Sequence, residues 1–250
     1  MNRILIWTCA VGLTVALSAW QRRSGPTYAV SGAIAIEGQS VRYRLERSFA
    51  GPGDAPVRIA APGLKGALSY RTAGSGGGWT TVEMALEGAT LVAHLPHQPI
   101  AGKLEYKVLL RGAAASEWLG PVTIRFRGDV PAAVLVPHLL AMFLGFLFAA
   151  RAGLAAANGE DPRRFVLTAL VLIGVGGLIL GPVVQKIGLG DYWTGWPFGP
   201  DLTDNKTLVA WLFLLPPMFS KRRYWAVIGA VVTFLVFAIP HSVLSGNVAR

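Results

Sequence analysis

Asp191-Tyr-Trp-Thr-Gly-Trp-Pro-Phe-Gly-Pro-Asp-Leu-Thr-Asp-Asn-Lys-Thr207 is a polar, aromatic stretch between two strongly hydrophobic runs. Its tryptophans and tyrosine are residues typical of a membrane–water interface. Asp201, Asp204, Asn205 and Lys206 add a dense set of ligating or hydrogen-bonding groups. The stretch therefore predicts a loop at one bilayer face, joining two membrane-spanning helices and carrying whatever specific function that face has.

The composition places the chain among membrane proteins. Of its 250 residues, 53% are hydrophobic and only 14% are charged, less charge than a soluble domain carries. The net charge of +10 comes from scattered basic residues, and the short clusters among them border apolar runs, which favours orientation signals over nucleic-acid binding. The single Cys9 excludes an intrachain disulfide and a cysteine-based metal cluster.

Five apolar runs are candidate membrane spans. The first, residues 4–20, follows Met-Asn-Arg and is a signal peptide or a retained anchor. We favour the anchor, because bulky Trp20 follows the weak small-x-small signal at Ala16 to Ser18. The other four runs are residues 131–150, 165–184, 207–219 and 224–240. The run at 207–219 is short enough for a re-entrant segment to compete with a full span.

The distribution of basic residues predicts the orientation. The loop at 151–164 and the triplet Lys221-Arg222-Arg223 contribute three basic residues each to one side, and the other side has Lys186, Lys206 and Arg250. By the positive-inside rule, the amino terminus then lies in the cytoplasm and the carboxyl terminus outside, with 207–219 crossing.

Residues 28–128 have a different texture, with short alternating segments between Gly, Pro and Asp residues. Period-two alternation between turn residues predicts strands, and six to eight strands in this length are typical of a β-sandwich. The glycine-rich residues 74–78 would form a hairpin tip. We therefore predict an α+β membrane protein with an anchor at 1–23, an extracytoplasmic β-sandwich at 24–128, and a four-span helical bundle at 129–250 with an outer loop at 185–206.

Two resemblances extend this prediction. Residues 91–108, with a strand, a Pro-rich turn and the Gly-x-hydrophobic-x-Tyr pattern ending at Tyr106, resemble the late strands of immunoglobulin-like and fibronectin type III-like modules. That resemblance implies a binding or spacer sandwich with Tyr106 in the core or at a corner. The whole chain is similar to a family of uncharacterised bacterial multi-pass membrane proteins with a W-P-F-G-x-D-L-T-D-N-K-T loop, here Trp196 to Thr207, and a closing P-H-S at Pro240 to Ser242. The second resemblance implies no activity.

Two proline-preceded histidines, His138 and His241, are the candidate ligands for a cofactor. With the predicted topology both lie near the outer face, where Asp201 or Asp204 could complete a transition-metal site or the histidines could bind haem as an axial pair. The competing interpretation is that each imidazole makes a structural hydrogen bond, since their spacing matches no metal motif.

The aromatic residues Tyr192, Trp193, Trp196 and Phe198 are the candidate interface, either with lipid or with a partner subunit. Small residues spaced by four, at 145, 149 and 153 and at 177 and 181, favour close helix contacts within the bundle or in an oligomer. The chain contains no Gly-x-Ser-x-Gly, Walker or Rossmann motif, so we expect a non-enzymatic protein.

The sequence thus predicts an accessory or scaffold subunit of a larger assembly in the bacterial inner (cytoplasmic) membrane. It would dock on other membrane protein subunits and on lipid through its sandwich and outer loop. The alternatives are a redox or metal-handling protein that uses His138 and His241, and an envelope sensor or lipid-binding protein.

Overall fold

A computed structural model describes residues 2–25, 27–199 and 202–240 of the chain. The fold is α+β, as predicted. Its described residues divide into a helical unit, formed by residues 2–25, 130–199 and 202–240, and a β unit at Thr27–Asp129.

The helical unit contains seven α-helices and one π-helical segment among the described residues. Within the described part of the chain, three stretches are long and apolar enough to cross a membrane: Arg3–Ser24, Ala132–Ala157 and Arg163–Leu189. The fourth apolar helix, Tyr224–Ala238, has 15 residues, and the predicted run at 207–219 forms two short helices. The five-span count therefore stays a prediction. The elements are α1 Arg3–Ser24, α2 Ala132–Ala157, α3 Arg163–Ile173, the π-helix Gly174–Leu180, α4 Gly181–Leu189, α5 Leu202–Phe213, α6 Pro216–Phe219 and α7 Tyr224–Ala238.

Small residues allow these helices to pack closely. A β-carbon added to Gly145 would come within 2.6 Å of Ile173 Cγ1 on α3, and one on Gly153 within 2.6 Å of Ala230 Cβ on α7. Because both positions lie against neighbouring helices of the same chain, the small-residue face of α2 serves the protein's own bundle.

Contacts between helix ends define two poles of the helical unit. Trp20 Nε1 donates a hydrogen bond to Ala238 O at 2.7 Å, so the carboxyl ends of α1 and α7 meet. At the amino end of α7, Arg223 Nη1 lies 3.5 Å from the position that a β-carbon would take on Gly159, in the loop between α2 and α3. We call the first pole the aromatic end and the second the arginine end.

The β unit has ten strands among the described residues, more than the six to eight predicted. Three of them contain only three or four residues, too few for an alternating pattern to appear in the sequence. The strands are β1 Val30–Ile36, β2 Gln39–Leu45, β3 Ser48–Ala50, β4 Ala55–Ala60, β5 Lys65–Thr72, β6 Thr80–Glu83, β7 Ala85–Glu87, β8 Thr90–Leu95, β9 Lys103–Arg111 and β10 Ser116–Arg127. They form a five-stranded sheet in the order β3-β10-β9-β5-β6, a three-stranded sheet β4-β8-β7 and the pair β1-β2.

One hydrophobic core joins the three sheets of the β unit. Strand β9 shows the alternation most clearly, because Leu104, Tyr106, Val108 and Leu110 are buried and the residues between them are half-buried. Tyr106 is a core residue, as predicted, and its hydroxyl donates to Glu46 O at 2.8 Å. Burial, together with the nearby Glu46 carboxylate, raises the pKa of Tyr106. The predicted glycine-rich hairpin is also confirmed, since residues 73–79 join the antiparallel strands β5 and β6.

Candidate functional site

The candidate site is the loop at 190–199, together with the first turn of α5. Helix α4 ends at Leu189 and is capped by Gly190, whose φ of 95° is a left-handed conformation that favours glycine. Lys186 Nζ donates to Gly190 O at 2.6 Å, and the Gly190 amide donates back to Lys186 O at 3.0 Å. The chain therefore leaves the helix in a fixed direction.

Asp204 holds the loop. Its side chain is buried, with 6% of the residue exposed, and Oδ2 accepts hydrogen bonds from the backbone amides of Thr194 at 2.6 Å and Gly195 at 3.0 Å. Gln185 Nε2 at 3.2 Å and Thr194 Oγ1 at 3.3 Å are further donors to the same oxygen. A buried carboxylate is costly unless it is hydrogen-bonded, and these donors supply that compensation. Its place in the first turn of α5 adds a favourable interaction with the helix dipole.

The next two residues, Asn205 and Lys206, make further hydrogen bonds that hold α5 in place. Asn205 Oδ1 accepts the Trp196 amide at 2.8 Å. Lys206 is 3% exposed, and its Nζ donates to Ile239 O at 2.6 Å and Pro240 O at 3.0 Å, at the end of α7. The Asp-Asn-Lys sequence thus binds α5 to the loop on one side and to α7 on the other. We call Asp204, Asn205 and Lys206 the clamp.

The aromatic side chains of the clamped loop face outward. Tyr192, Trp196 and Phe198 are 59%, 71% and 79% exposed, whereas Trp193 is half-buried and donates from Nε1 to Trp196 O at 3.1 Å. A rigid loop therefore displays three large apolar side chains. Such exposure is unusual for aromatic residues and marks a surface that contacts lipid or protein.

His138 makes the structural hydrogen bond that the sequence left as one of two interpretations. Its Nδ1 lies 2.8 Å from Gly176 O, a carbonyl of the π-helix. Gly176 O also accepts the backbone amide of Gly181 in the π-helical pattern, so the imidazole adds a second hydrogen bond to a carbonyl that already has a partner. Nearby, Trp211 Nε1 donates at 3.0 Å to Leu170 O of α3, which also accepts the Gly174 amide.

Of the four predicted metal ligands, His138 and Asp204 lie in the described residues, whereas Asp201 and His241 lie outside them. The described residues contain no group of three or more His, Cys, Asp or Glu side chains that could hold a metal ion. The metal and haem hypothesis, which needs His241, stays a prediction.

The sequence analysis did not identify Gln185 and Thr194 as partners of Asp204. Both are common polar residues, and only the fold brings them to the carboxylate from 19 and 10 positions away. A polar residue in the last turns of an apolar helix, as Gln185 is, was the available signal.

A second group missed in the sequence lies on the β unit. Lys107 Nζ lies 4.1 Å from the ring centroid of Trp118 and 4.6 Å from that of Trp79, and Arg71 lies 4.6 Å from Trp79. Trp118 is 48% exposed. We call Arg71, Trp79, Lys107 and Trp118 the cation–aromatic stack. Lys107 and Trp118 occupy the adjacent strands β9 and β10 of the five-stranded sheet, so they are neighbours in the fold but not in the sequence.

Comparisons with known proteins identify no family. No family model and no curated protein matches the chain. Among solved structures, the chain is similar to one described as "Crystal structure of Br derivative BhCBM56", at 10% identity and a TM-score of 0.27, over 40% of this chain and 92% of that one. A likeness at that level assigns neither a family nor a function.

Proposed function

We propose that this protein is a non-enzymatic accessory or scaffold subunit of a larger membrane assembly, which it contacts through the clamped aromatic loop and the β unit. The observation that carries the proposal is the combination of high exposure and rigid support at Tyr192, Trp196 and Phe198. Aromatic side chains dominate binding at protein interfaces, and a loop fixed before binding loses less conformational entropy when it docks.

The β unit supports the proposal with a second surface. The cation–aromatic stack presents Trp118 with a lysine packed on its ring. At the edge of the same sheet, β6 has all four residues exposed. An exposed edge strand and an aromatic patch are both features by which extracytoplasmic modules recognise partners. We propose that this unit is an immunoglobulin-like or fibronectin type III-like sandwich.

The proposal includes a topology of five spans in a bacterial inner membrane, with the β unit and the aromatic loop outside. The positions of the basic triplet and of the aromatic loop support this topology. The Lys221-Arg222-Arg223 triplet lies at the arginine end beside Gly159, and the aromatic loop is bound to the opposite end of α5. In this topology the basic residues of both polar loops at the arginine end face the cytoplasm.

The test is site-specific crosslinking of the full chain in native membranes, with a photoreactive residue replacing Trp196. We expect a crosslink to one defined protein, which co-purifies in a fixed ratio with the wild-type chain in mild detergent. A Tyr192→Ser, Trp196→Ser, Phe198→Ser variant should reduce that co-purification at least tenfold, because it removes the aromatic anchors.

The matched control removes exposed aromatic residues at the arginine end. Phe219 and Tyr224 are 86% and 47% exposed, and the Phe219→Ser, Tyr224→Ser variant should retain the partner. Crosslinks to lipid alone would contradict the docking proposal and would assign the loop to an interfacial aromatic belt.

A further inference from the structure

A cavity of about 420 Å³ opens at the arginine end of the helical unit. Arg3 from the first turn of α1, Glu160 and Asp161 from the loop after α2, and Arg164 from the first turn of α3 line it. Its volume falls in the range of about 300–1,000 Å³ that is typical of small-ligand pockets.

The two carboxylates of the cavity are already engaged. Glu160 Oε2 accepts from Arg151 Nη2 at 2.6 Å, and Asp161 Oδ1 accepts from the Arg163 amide at 3.2 Å. The Arg151 hydrogen bond, with smaller contributions from the charges of Arg3 and Arg164, lowers the pKa of Glu160. Arg151 itself is 1% exposed and lies against the rings of Trp7 and Phe165.

The two lining arginines keep their hydrogen-bonding capacity. Arg3 and Arg164 are exposed, and among the described residues neither belongs to an ion pair within 4.0 Å. The guanidinium of Arg164 lies over the Phe165 ring at 4.6 Å, which leaves its N–H edge for another partner. Arg163 and Arg223 border the same loop but lie outside the cavity lining, which contains two arginines and two carboxylates.

Apolar side chains next to the cavity point to the source of the ligand. Ile4 and Leu5 on α1 are 73% and 49% exposed, and Leu167, one turn after Arg164 on α3, is 51% exposed. Guanidinium groups at the end of apolar helices, with exposed aliphatic side chains directly beside them, match the two parts of a phospholipid, its charged headgroup and its acyl chains.

We infer that this cavity binds the phosphate of an anionic phospholipid, with Arg3 and Arg164 as its ligands. The planar guanidinium group donates two parallel N–H bonds to phosphate oxygens, and two such groups on separate helices would hold one phosphate between α1 and α3. The Arg151–Glu160 pair positions the loop that carries Asp161 and leads to Arg164. The site lies at the opposite pole from the docking loop and does not depend on the function proposed for that loop.

The test uses the full chain in mild detergent and native mass spectrometry with added phosphatidylglycerol or phosphatidylcholine. We expect selective retention of phosphatidylglycerol by the wild-type protein. Each guanidinium–phosphate contact contributes about a factor of ten in affinity, so Arg3→Gln, Arg164→Gln should lose retention by about a hundredfold. Arg3→Lys, Arg164→Lys, which keeps the charge and the fold but loses the planar fork, should lose about tenfold.

The matched control is Arg22→Gln, Arg23→Gln, which removes the same charge from the carboxyl end of α1 and should retain the lipid. Equal loss in that control, or full retention in Arg3→Gln, Arg164→Gln, would overturn the inference. Titration with inorganic phosphate separates the two sources of the anion. Displacement of the lipid by millimolar phosphate would assign the cavity to a soluble phosphate and overturn the lipid assignment.

Discussion

The aromatic end and the arginine end of the helical unit each bury a charged side chain, but they compensate it differently. Asp204, 6% exposed, is surrounded by neutral donors from one loop and from Gln185. Arg151, 1% exposed, has one carboxylate and two aromatic rings around it, and its Nε and Nη1 have no hydrogen-bond partner in the described structure.

Asp204 is therefore a structural carboxylate with neutral partners, whereas Arg151 belongs to a cluster of charged side chains. At the aromatic end, the hydrogen bonds to Asp204 fix the loop. The exposed aromatic side chains of that loop are the groups that remain available to bind a partner. At the arginine end, buried Arg151 pairs with the partly exposed Glu160, and neither Arg3 nor Arg164 forms an ion pair within 4.0 Å among the described residues. A buried charge therefore holds a loop with exposed aromatic side chains at one end and lies beside an arginine-lined cavity at the other.

The largest effect is expected for Asp204→Ala. The substitution leaves the buried Gly195 amide and the Thr194 amide without their acceptor, and each unsatisfied donor is costly, so we expect a loss of about 3 kcal/mol in the free energy of unfolding. Denaturant titration in mild detergent, followed by circular dichroism, measures it. Asp191→Ala removes an exposed carboxylate of the same loop and should change stability by less than about 0.5 kcal/mol. Equal effects of the two substitutions would refute the clamp.

Arg151→Met should cost less, about 2 kcal/mol, because the methionine retains much of the packing and the losses are the hydrogen bond to the partly exposed Glu160 and the guanidinium contact with Trp7 and Phe165. The same titration tests it, with the exposed Arg163→Met as control. If Arg151→Met proved more destabilising than Asp204→Ala, the contrast between the two ends would be reversed.

Thr194→Val sharpens the description of the clamp. The Thr194 hydroxyl accepts from Gln185 Nε2 at 2.8 Å and lies 3.3 Å from Asp204 Oδ2, so its removal should cost about 1 kcal/mol. Thr8→Val removes an exposed helical hydroxyl and should cost about 0.5 kcal/mol or less. An equal loss of stability in the two variants would show that the hydrogen bond between Gln185 and the Thr194 hydroxyl does not stabilise the clamp.

The smallest effect should be confined to acid pH. The Arg151 hydrogen bond lowers the pKa of Glu160 below its usual value of 4.5, so protonation favours the unfolded state. The stability that Glu160 contributes is complete above pH 4.5 and is lost as the pH falls through the lowered pKa. Glu160→Gln should therefore flatten the decline of stability below pH 4.5. A wild-type-like acid decline in that variant would exclude the linkage.

The sequence predicted the broad architecture because it depends on local pattern. The apolar runs at 4–20, 131–150 and 165–184 correspond to helices long enough to cross a membrane, and the alternation around Tyr106 corresponds to a buried strand. The structure has ten strands in the described residues where the sequence predicted six to eight, since strands of three or four residues carry no readable period.

The candidate site was predicted only in part. The exposed aromatic residues and Asp204 stand together in one stretch of sequence, so their importance was visible. The partners of Asp204 were not, because Gln185 lies on the preceding helix and its distance from the carboxylate depends on how the loop turns back. The contact between Lys107 and Trp118 could not be predicted either, because it depends on how their two strands pair in the sheet.

The sequence by itself determined which segments are helices in an apolar environment, which form strands, and where the polar loops between them lie. Hydrophobic periodicity and turn residues act over a few positions, so these features can be read locally. Only the tertiary structure decided that Asp204 fixes a loop, that His138 bonds to a π-helical carbonyl, and that Arg3 and Arg164 face one cavity. Hydrogen bonds and charges act over a few ångströms in space, and the fold alone determines which distant residues come that close.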